Sequence, residues 1–391
     1  MALSNRVNIL SESLTIAIST LARDLKASGK DVIGFSAGEP DFDTPQIIKD
    51  AAIEAMGKGF TKYTAVEGII EVRKAIAEKL KRDNNLEYTP KEIIVSNGAK
   101  HSLFNLFQAA IDEGDEVIIP APYWVTYPEL VLYSGGKPVY VETSDETNFK
   151  MTAEQLKAAI TPKTKMLVLT SPSNPTGAVY TKAELESLAE VLKGTDILVA
   201  SDEMYEKLLY DGNKFTAVAS ISDDMMQRTI TINGLSKSVS MTGWRFGYLA
   251  SKKADLIEAM NKLQSQSTSN INSITQYAAI PALLGKVDDE IESMRVQFEE
   301  RRNVACELMN AIPGLSVVKP DGAFYLYVNT KAVEMDSMKF CKEMLEEVGV
   351  AVVPGLGFGT EGYFRFSFAT DLKTIKDGIS RIAKFVESKR K

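Results

Sequence analysis

At 391 residues the chain is too long for one small hydrophobic core, and its length predicts two domains. Its 45% hydrophobic and 25% charged residues are typical of a soluble globular protein, and its net charge of −7 argues against a nucleic-acid partner. One histidine, His101, argues against a metal site, and two cysteines outside any CxxC motif predict reduced thiols in a cytoplasmic protein. We expect no membrane association, because we find neither a long apolar run nor a signal peptide.

The first part of the chain alternates predicted strands with predicted helices. Apolar residues at helical spacing predict helices, and β-branched runs predict strands. Two capping-box patterns predict helix starts, at Thr152 with Gln155 and at Thr181 with Glu184. The predicted strands are residues 32–37, 92–96, 116–120, 138–142, 165–170, 196–201, 229–232 and 246–250, and the predicted helices are 46–58, 68–82, one ending at 112, 152–160 and 181–193.

This alternation predicts an α/β fold. Residues 165–170 and 196–201 are apolar on both faces, so we expect a large domain with a mostly parallel sheet that helices cover on both faces.

The pattern changes in the second part of the chain. A long helical stretch runs from about residue 254 past 284, and a second helix covers 288–311. The strands 315–319, 323–328 and 363–368 alternate as in a half-exposed sheet, accompanied by helices at 339–348 and 372–388. We therefore predict a smaller α/β domain. Its proposed bounds are 1–45 with 286–391, and the large domain would be 46–285.

One lysine, Lys237, lies between the two apolar strands of residues 229–250. Burial disfavours the ammonium form, so a buried lysine tends towards a neutral amine, which can form a Schiff base with a carbonyl. The alternative is a surface loop whose lysine has no chemical role, as is true of most lysines.

Three further loops follow predicted strands and carry groups that bind ligands. Residues 97–100 could hold an anion at a helix start, or form an ordinary tight turn. In 171–177, Asn174 could present its amide to a ligand, or the segment could be a structural turn. Asp202 needs a partner at its strand end, which could be a ligand cation, a hydrogen-bond network or the start of a helix.

A further glycine-rich segment, 357–362, matches GxGxxG. A dinucleotide fingerprint requires a strand before it and a helix after it, but here a predicted strand follows. We therefore interpret it as a glycine-rich loop.

The motifs together resemble a known family. Ala37-Gly-Glu-Pro-Asp-Phe42, Lys62-Tyr-Thr64, Pro122-Tyr-Trp124, Ser171-Pro-Ser-Asn-Pro-Thr-Gly177, Ser201-Asp-Glu-Met-Tyr205, the segment from Ser236-Lys237 to Trp244-Arg245, and Phe364-Arg-Phe366 stand in family order over nearly the whole chain. The sequence resembles the fold-type I pyridoxal-phosphate enzymes, and within them class I aminotransferases of the aspartate aminotransferase type.

The resemblance implies that the chain binds pyridoxal 5′-phosphate, and it gives each motif residue a role. Lys237 would form the Schiff base and then move a proton between the substrate Cα and the cofactor. Asp202 would pair with the pyridine nitrogen. Asn174 and Tyr205 would bind the phenolic oxygen, and Trp124 would stack on the ring.

The resemblance also implies a phosphate site and a second subunit. Arg245, Gly98 and Ala99 match the groups that contact the phosphate. Tyr63 matches a tyrosine that reaches the phosphate of the other subunit, which implies an obligate homodimer with a shared active site.

Other matched positions imply substrate contacts. Arg365 would grip the α-carboxylate bidentately, with a backbone contact from Gly38, beside Trp124 and Asn174. The segment around Ser13 and Thr15 resembles the part that closes over the substrate.

The side-chain carboxylate of the substrate is read differently in two branches of the family. No arginine lies between Arg245 and Arg295, and residues 264–269 resemble the branch that uses a lysine, here Lys100. A cation there favours aspartate or glutamate. Some members of this branch also accept prephenate and carry a basic residue where Ser11 and Glu12 stand here, which lowers the expectation of that activity.

We therefore expect ping-pong transamination, in which aspartate and 2-oxoglutarate give oxaloacetate and glutamate. The alternatives are an aminotransferase of aromatic or other amino acids or of prephenate, and a carbon–sulfur lyase on the same site. A cofactor-binding regulator without catalysis is a third possibility, but such proteins usually carry a DNA-binding domain, for which the acidic chain offers no sign.

Overall fold

The computed structural model of the chain describes residues 3–11 and 14–390, and within them the side chain of Thr15 is not described. The helices are α1 (Asn5–Asn8), α2 (Leu14–Ala27), α3 (Gln46–Gly57), α4 (Ile70–Asn84), α5 (Ala99–Ala110), α6 (Thr126–Tyr133), α7 (Ala153–Ala159), α8 (Lys182–Leu192), α9 (Asp223–Arg228), α10 (Ala254–Ser267), α11 (Ser273–Leu283), α12 (Asp288–Asn310), α13 (Ser337–Val348) and α14 (Leu372–Lys389). The strands are β1 (Ile33–Gly34), β2 (Ile93–Asn97), β3 (Glu116–Ala121), β4 (Lys137–Glu142), β5 (Thr164–Thr170), β6 (Leu198–Asp202), β7 (Thr229–Gly234), β8 (Phe246–Ala250), β9 (Ser316–Val317), β10 (Tyr325–Asn329), β11 (Val350–Ala351), β12 (Val353–Pro354) and β13 (Tyr363–Ser367). Short 3₁₀ helices cover Pro90–Glu92, Asp145–Thr147, Val218–Ser220 and Gly355–Phe358.

The central sheet has seven strands in the order β2-β8-β7-β6-β5-β3-β4. Only β8 runs antiparallel to its neighbours, so the sheet is mostly parallel, as predicted. The carboxyl ends of β5 and β6 therefore lie side by side, which is where open α/β sheets bind ligands.

Helices cover both faces of this sheet, which confirms the predicted fold class. Alternate residues of one strand pack on opposite sides, because side chains in a strand alternate between faces. In β5, Met166 and Val168 join the apolar cluster with α5, α6 and α10, whereas Leu167 and Leu169 join the cluster with α7 and α8. Each such side chain contributes about 1.5–3 kcal/mol when it is fully buried.

The predicted capping boxes are present. Thr152 and Gln155 exchange hydrogen bonds at the start of α7, and Thr181 and Glu184 do the same at α8. The local sequence thus determines where these two crossover helices begin.

A second sheet, antiparallel in the order β12-β13-β10-β9, is formed by the last third of the chain. A pair of parallel two-residue strands, β1 and β11, ties residues 33–34 to 350–351. One apolar cluster runs without a break from β2 through to β13. The division into 46–285 and the remainder stays a prediction.

The structure differs from the sequence predictions in four places. The second sheet is not half-exposed: all residues of β13 and four of the five in β10 are buried, because helices and the first half of the chain cover both faces. The helical stretch after residue 254 is broken at 268–272 into α10 and α11. The segment 126–133, for which no helix was predicted, forms α6, which tolerates Pro128 because it lies in the first turn, where a backbone N–H has no intrahelical partner. The expected strand 32–37 is reduced to the two residues of β1.

Within the described residues, no helix combines the length and the apolar character that a membrane crossing requires.

Candidate active site

A cavity of about 320 Å³ opens at the carboxyl ends of β5 and β6. This volume suits a small ligand. The cavity is lined by ten of the residues singled out from the sequence, which are Gly38, Ala99, Lys100, Trp124, Asn174, Asp202, Tyr205, Lys237, Arg245 and Arg365. A larger groove of about 980 Å³ between α12 and α14 is mainly apolar and contains none of them, so the smaller cavity is the candidate active site.

Lys237 lies in the loop between β7 and β8, and its Nζ donates a hydrogen bond to the backbone oxygen of Gly38. Burial, with help from the charges of Arg365 and Arg245, lowers the pKa of Lys237 to about 8, against the opposing effect of Glu39 and Asp202. At pH 7 about a tenth of such amines are neutral. The amine is therefore available as a nucleophile near neutral pH.

Asp202 ends β6 and is buried. Its Oδ2 accepts a hydrogen bond of 2.7 Å from the Tyr127 hydroxyl, and its Oδ1 accepts one of 3.3 Å from the backbone N–H of Met204. Burial raises the pKa of Asp202, and the hydrogen bonds together with the charge of Lys237 oppose that shift. Residues 204–207 form turns rather than an α-helix, so Asp202 is no helix cap.

Tyr127, on α6, was missed by sequence reasoning. Its hydroxyl also lies 2.7 Å from Thr170 Oγ1, so it joins the ends of β5 and β6. Burial raises the pKa of Tyr127 well above its usual value, so the phenol remains a hydrogen-bond donor at neutral pH. The only hint in the sequence was its position three residues after Trp124.

Arg365, in the middle of β13, is only 2% exposed. Its Nη1 donates to Asn174 Oδ1 and its Nη2 to the backbone oxygen of Ser36, both at 2.8 Å. Its guanidinium lies 4.4 Å from the ring centre of Tyr325, and its buried Nε has no hydrogen-bond partner among the described residues. A buried cation with a spare donor can bind an anion such as a carboxylate.

Asn174 is held by its loop. The loop 171–177 packs on the second part of the chain, because Gly177 O accepts from the backbone of Asp321 and Gly322. A Cβ at Gly177, which has φ +69°, would collide with Pro320.

Tyr205 and Tyr325 form a hydroxyl pair 2.8 Å apart. A Cβ at Gly38 would come within 2.9 Å of the Tyr325 hydroxyl, so a side chain there would displace this hydroxyl. Tyr325 is a further cavity residue that sequence reasoning missed, because it lay inside a predicted strand.

Arg245 lies beside the start of α5. Its Nη1 donates to Thr242 O at 2.8 Å and its Nη2 to Asn97 O at 3.4 Å. A Cβ at Gly98, which has φ +76°, would come within 2.5 Å of Arg245 Nη2. A Cβ at Gly247 would collide with the backbone of Ala99. The backbone, the guanidinium and the first N–H groups of α5 thus form a cradle for an anion.

Lys100 and Trp124 face each other, with the Nζ 5.0 Å from the ring centre. Burial and the charge of Arg245 lower the pKa of Lys100.

Tyr63 does not line the cavity of its own chain: it is 90% exposed. Ser13 and the side chain of Thr15 lie outside the described part of the chain.

These groups fit the chemistry of pyridoxal 5′-phosphate. The anion cradle at Gly98 and Arg245 suits a phosphate, and the amine of Lys237 suits an aldehyde. The carboxylate of Asp202 suits a protonated ring nitrogen.

Comparisons with known proteins point to aminotransferases. Residues 30–382 match the family described as aminotransferase class I and II. The aspartate aminotransferase of Bacillus subtilis (strain 168) is 53% identical, with 99% of each chain covered. The aspartate/prephenate aminotransferase of Nitrosomonas europaea is 48% identical over 98% of this chain and 99% of its own. The solved structure of the aspartate aminotransferase from Thermus thermophilus with maleate superimposes with a TM-score of 0.94 at 43% identity, covering 98% of this chain and 99% of that one.

Proposed function

This chain belongs to the class I and II aminotransferase family, and we propose that it transfers the amino group of aspartate to 2-oxoglutarate with pyridoxal 5′-phosphate as cofactor. The observation that carries the proposal is the meeting of Lys237, Asp202, Arg365 and Lys100 around one cavity. An amine, a carboxylate and two separate cations match the requirements of a dicarboxylic amino acid.

The cofactor would be held at both ends and along its ring. Arg245 and the backbone at Gly98 and Ala99 would bind the phosphate, and Asp202 would pair with the ring nitrogen. When bound, the cofactor supplies an aldehyde that takes up amino groups and a protonated ring that accepts the electron pair released at the substrate Cα.

The ring itself would have three further contacts. Trp124 would stack on it, and Asn174 and Tyr205 would bind its phenolic oxygen. The hydroxyl of Tyr127 would keep Asp202 ionised by donating to it.

The reacting proton would be moved by Lys237. Its lowered pKa lets the released side chain take a proton from the substrate Cα near neutral pH and return it at the other end of the transfer. Arg365, with the backbone of Gly38, would hold the α-carboxylate beside it. Transfer in two halves, first from aspartate and then to 2-oxoglutarate, needs only this one site, so the kinetics would be ping-pong.

Selection of the second carboxylate would fall to Lys100, as in the branch of the family that uses a lysine there. Its Nζ lies over Trp124 within the cavity that also contains Arg365. Two relatives support this proposal. The solved structure of the Thermus thermophilus relative is described as being with maleate, a C4 dicarboxylate, and the Bacillus subtilis relative is named for aspartate.

The active unit would be a homodimer in the cytoplasm. Tyr63, which is 90% exposed, would reach the phosphate of the other subunit. It follows α3 in the chain, and this helix exposes the apolar side chains of Ile53 and Met56, which are 61% and 50% exposed. The cysteines are free and buried thiols, which suits a reducing compartment.

The direct test is spectroscopic. Purified chain loaded with pyridoxal 5′-phosphate should change its visible absorbance when aspartate is added alone, and 2-oxoglutarate should reverse the change. Lys237→Ala should bind the cofactor without covalent attachment and lose turnover. An unchanged spectrum with aspartate, in a chain that binds the cofactor, would refute the proposal.

Lys100→Ala tests the specificity. We expect kcat/KM for aspartate to fall about 10- to 100-fold, because a charge-assisted contact is lost, while aromatic amino acids are spared. Lys157→Ala, at an exposed lysine of α7, is the matched control. Equal losses on all substrates would show damage to the anion cradle instead.

Prephenate is a second candidate substrate, because the Nitrosomonas europaea relative is named for both activities. Amino transfer from aspartate to prephenate, measured beside transfer to 2-oxoglutarate, decides between a narrow and a dual specificity. Release of pyruvate and ammonia from cysteine-like substrates without any oxo acid would instead identify a carbon–sulfur lyase.

A further inference from the structure

The segment 36–44 contributes Gly38 to the cavity lining, and its backbone contacts two functional residues. Ser36 O accepts a hydrogen bond from Arg365 Nη2, and Gly38 O accepts one from Lys237 Nζ. Residues of this segment thus contact both the arginine of β13 and the lysine of the β7–β8 loop.

Glu39 is the next residue, and its side chain is exposed. Its Oε2 accepts a hydrogen bond of 2.9 Å from the hydroxyl of Thr242, and the carbonyl of Thr242 in turn accepts from Arg245 Nη1. A carboxylate is therefore held next to Gly38, which contacts Lys237, and is bonded to Thr242, which lines the cavity.

Four charged groups act on the Lys237 amine. Arg365 and Arg245 lower its pKa, whereas Glu39 and Asp202 raise it, and Glu39 has the largest effect of the four. Asp202 has the smallest effect of the four, so Glu39 is the main carboxylate that balances the two arginines in the cofactor-free chain.

We propose that Glu39 is a positioning residue of the active site, which holds the Gly38 turn against the lysine loop through Thr242 and whose charge sets the fraction of Lys237 present as ammonium. The inference rests on the proposed role of Lys237 as the residue that binds the cofactor aldehyde. In this proposal Glu39 acts on Lys237 and does not bind the substrate.

The consequence concerns the rate at which the empty chain captures its cofactor. The neutral Lys237 amine would add to the aldehyde carbon, a C=N bond would replace the C=O bond, and the aldehyde oxygen would leave as water with the two hydrogens of the amine. Only the neutral amine has the electron pair for this addition. Removing the charge of Glu39 should therefore move the pH midpoint of capture downwards.

The experiment measures capture of pyridoxal 5′-phosphate by the full-length chain freed of cofactor, by stopped-flow absorbance between pH 6 and 10. Borohydride reduction and peptide mass spectrometry identify Lys237 as the modified residue. For Glu39→Gln we expect capture at pH 7 to be about two- to tenfold faster, with a lower pH midpoint, because ammonium is no longer stabilised.

Three variants separate charge from structure. Glu39→Asp keeps the charge and should keep the midpoint near that of the wild type. Thr242→Val removes the hydrogen bond but keeps the carboxylate, and should shift the midpoint less than Glu39→Gln does. Asp43→Asn removes an exposed charge of the same segment and should leave the midpoint unchanged.

Two results would overturn the inference. One is a midpoint for Glu39→Gln equal to that of the wild type, even if capture is faster at every pH, since that pattern reflects attraction of the phosphate. The other is an equal shift for Thr242→Val. If the wild-type chain itself fails to capture the cofactor at Lys237, the proposed function fails, which is a separate outcome.

Discussion

Two adjacent carboxylates at the end of β6 face different surroundings. Asp202 lines the cavity, whereas Glu203 is completely buried on the other side of the strand. Glu203 Oε1 accepts from Ser201 Oγ at 2.8 Å and from the backbone of Val218 at 3.2 Å, and its Oε2 has no partner within the described residues. Burial, helped by the charge of Glu206, raises the pKa of Glu203 to about 8.

This shift predicts a pH-dependent stability. The folded chain favours protonated Glu203, so the contribution is fully present below the unfolded pKa near 4.5 and is lost as pH rises to about 8. Glu203→Gln cannot ionise. Its free energy of unfolding should therefore fall less between pH 5 and 8 than that of the wild type, and the difference should be on the order of a few kcal/mol. Urea unfolding at several pH values tests this, with Glu258→Gln, an exposed site on α10, as control. Parallel curves for wild type and Glu203→Gln would contradict it.

The hydroxyl of Tyr127 should matter for cofactor affinity. Tyr127→Phe removes a hydrogen bond to a buried carboxylate, which contributes about 1.5–3 kcal/mol, and raises the pKa of Asp202 further. We expect the dissociation constant of pyridoxal 5′-phosphate to rise about tenfold, measured by titration of the cofactor-free chain. Tyr133→Phe, on the same helix, should have no such effect, and equal affinity for both variants would count against the role given to Tyr127.

At the scale of elements, α4 is joined to the loop after β6 by buried charges. Lys79 Nζ forms an ion pair with Glu206 and donates to Asn84 Oδ1 at 2.7 Å, and Asn84 Nδ2 donates to Glu206 Oε2 at 2.6 Å. Glu206 directly follows Tyr205, so the same turn presents one side chain to the cavity and the other to α4. The helix thereby supports the floor of the site.

Removing one partner of this ion pair should lower the stability of the fold. Lys79→Met leaves Glu206 buried without its cation, and we expect the free energy of unfolding to fall by about 3–5 kcal/mol. Lys79→Met combined with Glu206→Gln removes the uncompensated charge and should recover much of the loss. Denaturant unfolding compares them with Lys74→Met, an exposed lysine of the same helix. A double variant no more stable than Lys79→Met would show that the charge is not the cause.

The elements predicted best from the sequence are the strands whose side chains are apolar on both faces. Strands β5 and β6 were predicted to within two residues at each end, because apolar side chains fill both faces. Helix α6 was missed because Pro128 and its aromatic neighbours conceal its helical pattern, and with it the contact of Tyr127 to Asp202.

Long-range contacts explain the other differences. Nothing local indicates that β13 is covered on both faces, since its partners come from elements far away in the chain. The family motifs pointed to the residues around the cavity, but the hydrogen bond from Thr242 to Glu39 joins positions about 200 residues apart and depends on the folded chain.

For the whole molecule, the exposed apolar surface of α3 leads to a prediction about assembly. Ile53→Glu places a charge in the surface proposed to join two subunits, where its burial without a partner is unfavourable. Sedimentation velocity should show the wild-type chain as a dimer and Ile53→Glu largely as a folded monomer. Met335→Glu introduces the same charge outside α3, at a residue that is 55% exposed, and should leave the dimer intact. A monomeric wild type, or an Ile53→Glu variant that stays dimeric, would contradict the proposal.

The tight packing at Gly98 and Gly247 has a consequence for how descendants of this chain can diverge. Any side chain at Gly247 would collide with the backbone at the start of α5, and one at Gly98, which has φ +76°, would push the Arg245 guanidinium aside, so substitutions at either position disturb the anion cradle. Lys100, by contrast, extends from the same turn into open cavity, and another residue there leaves the backbone in place. If Lys100 selects the second carboxylate as proposed, then after a gene duplication one copy could acquire a new substrate through a single codon at position 100 while both copies retain the cradle.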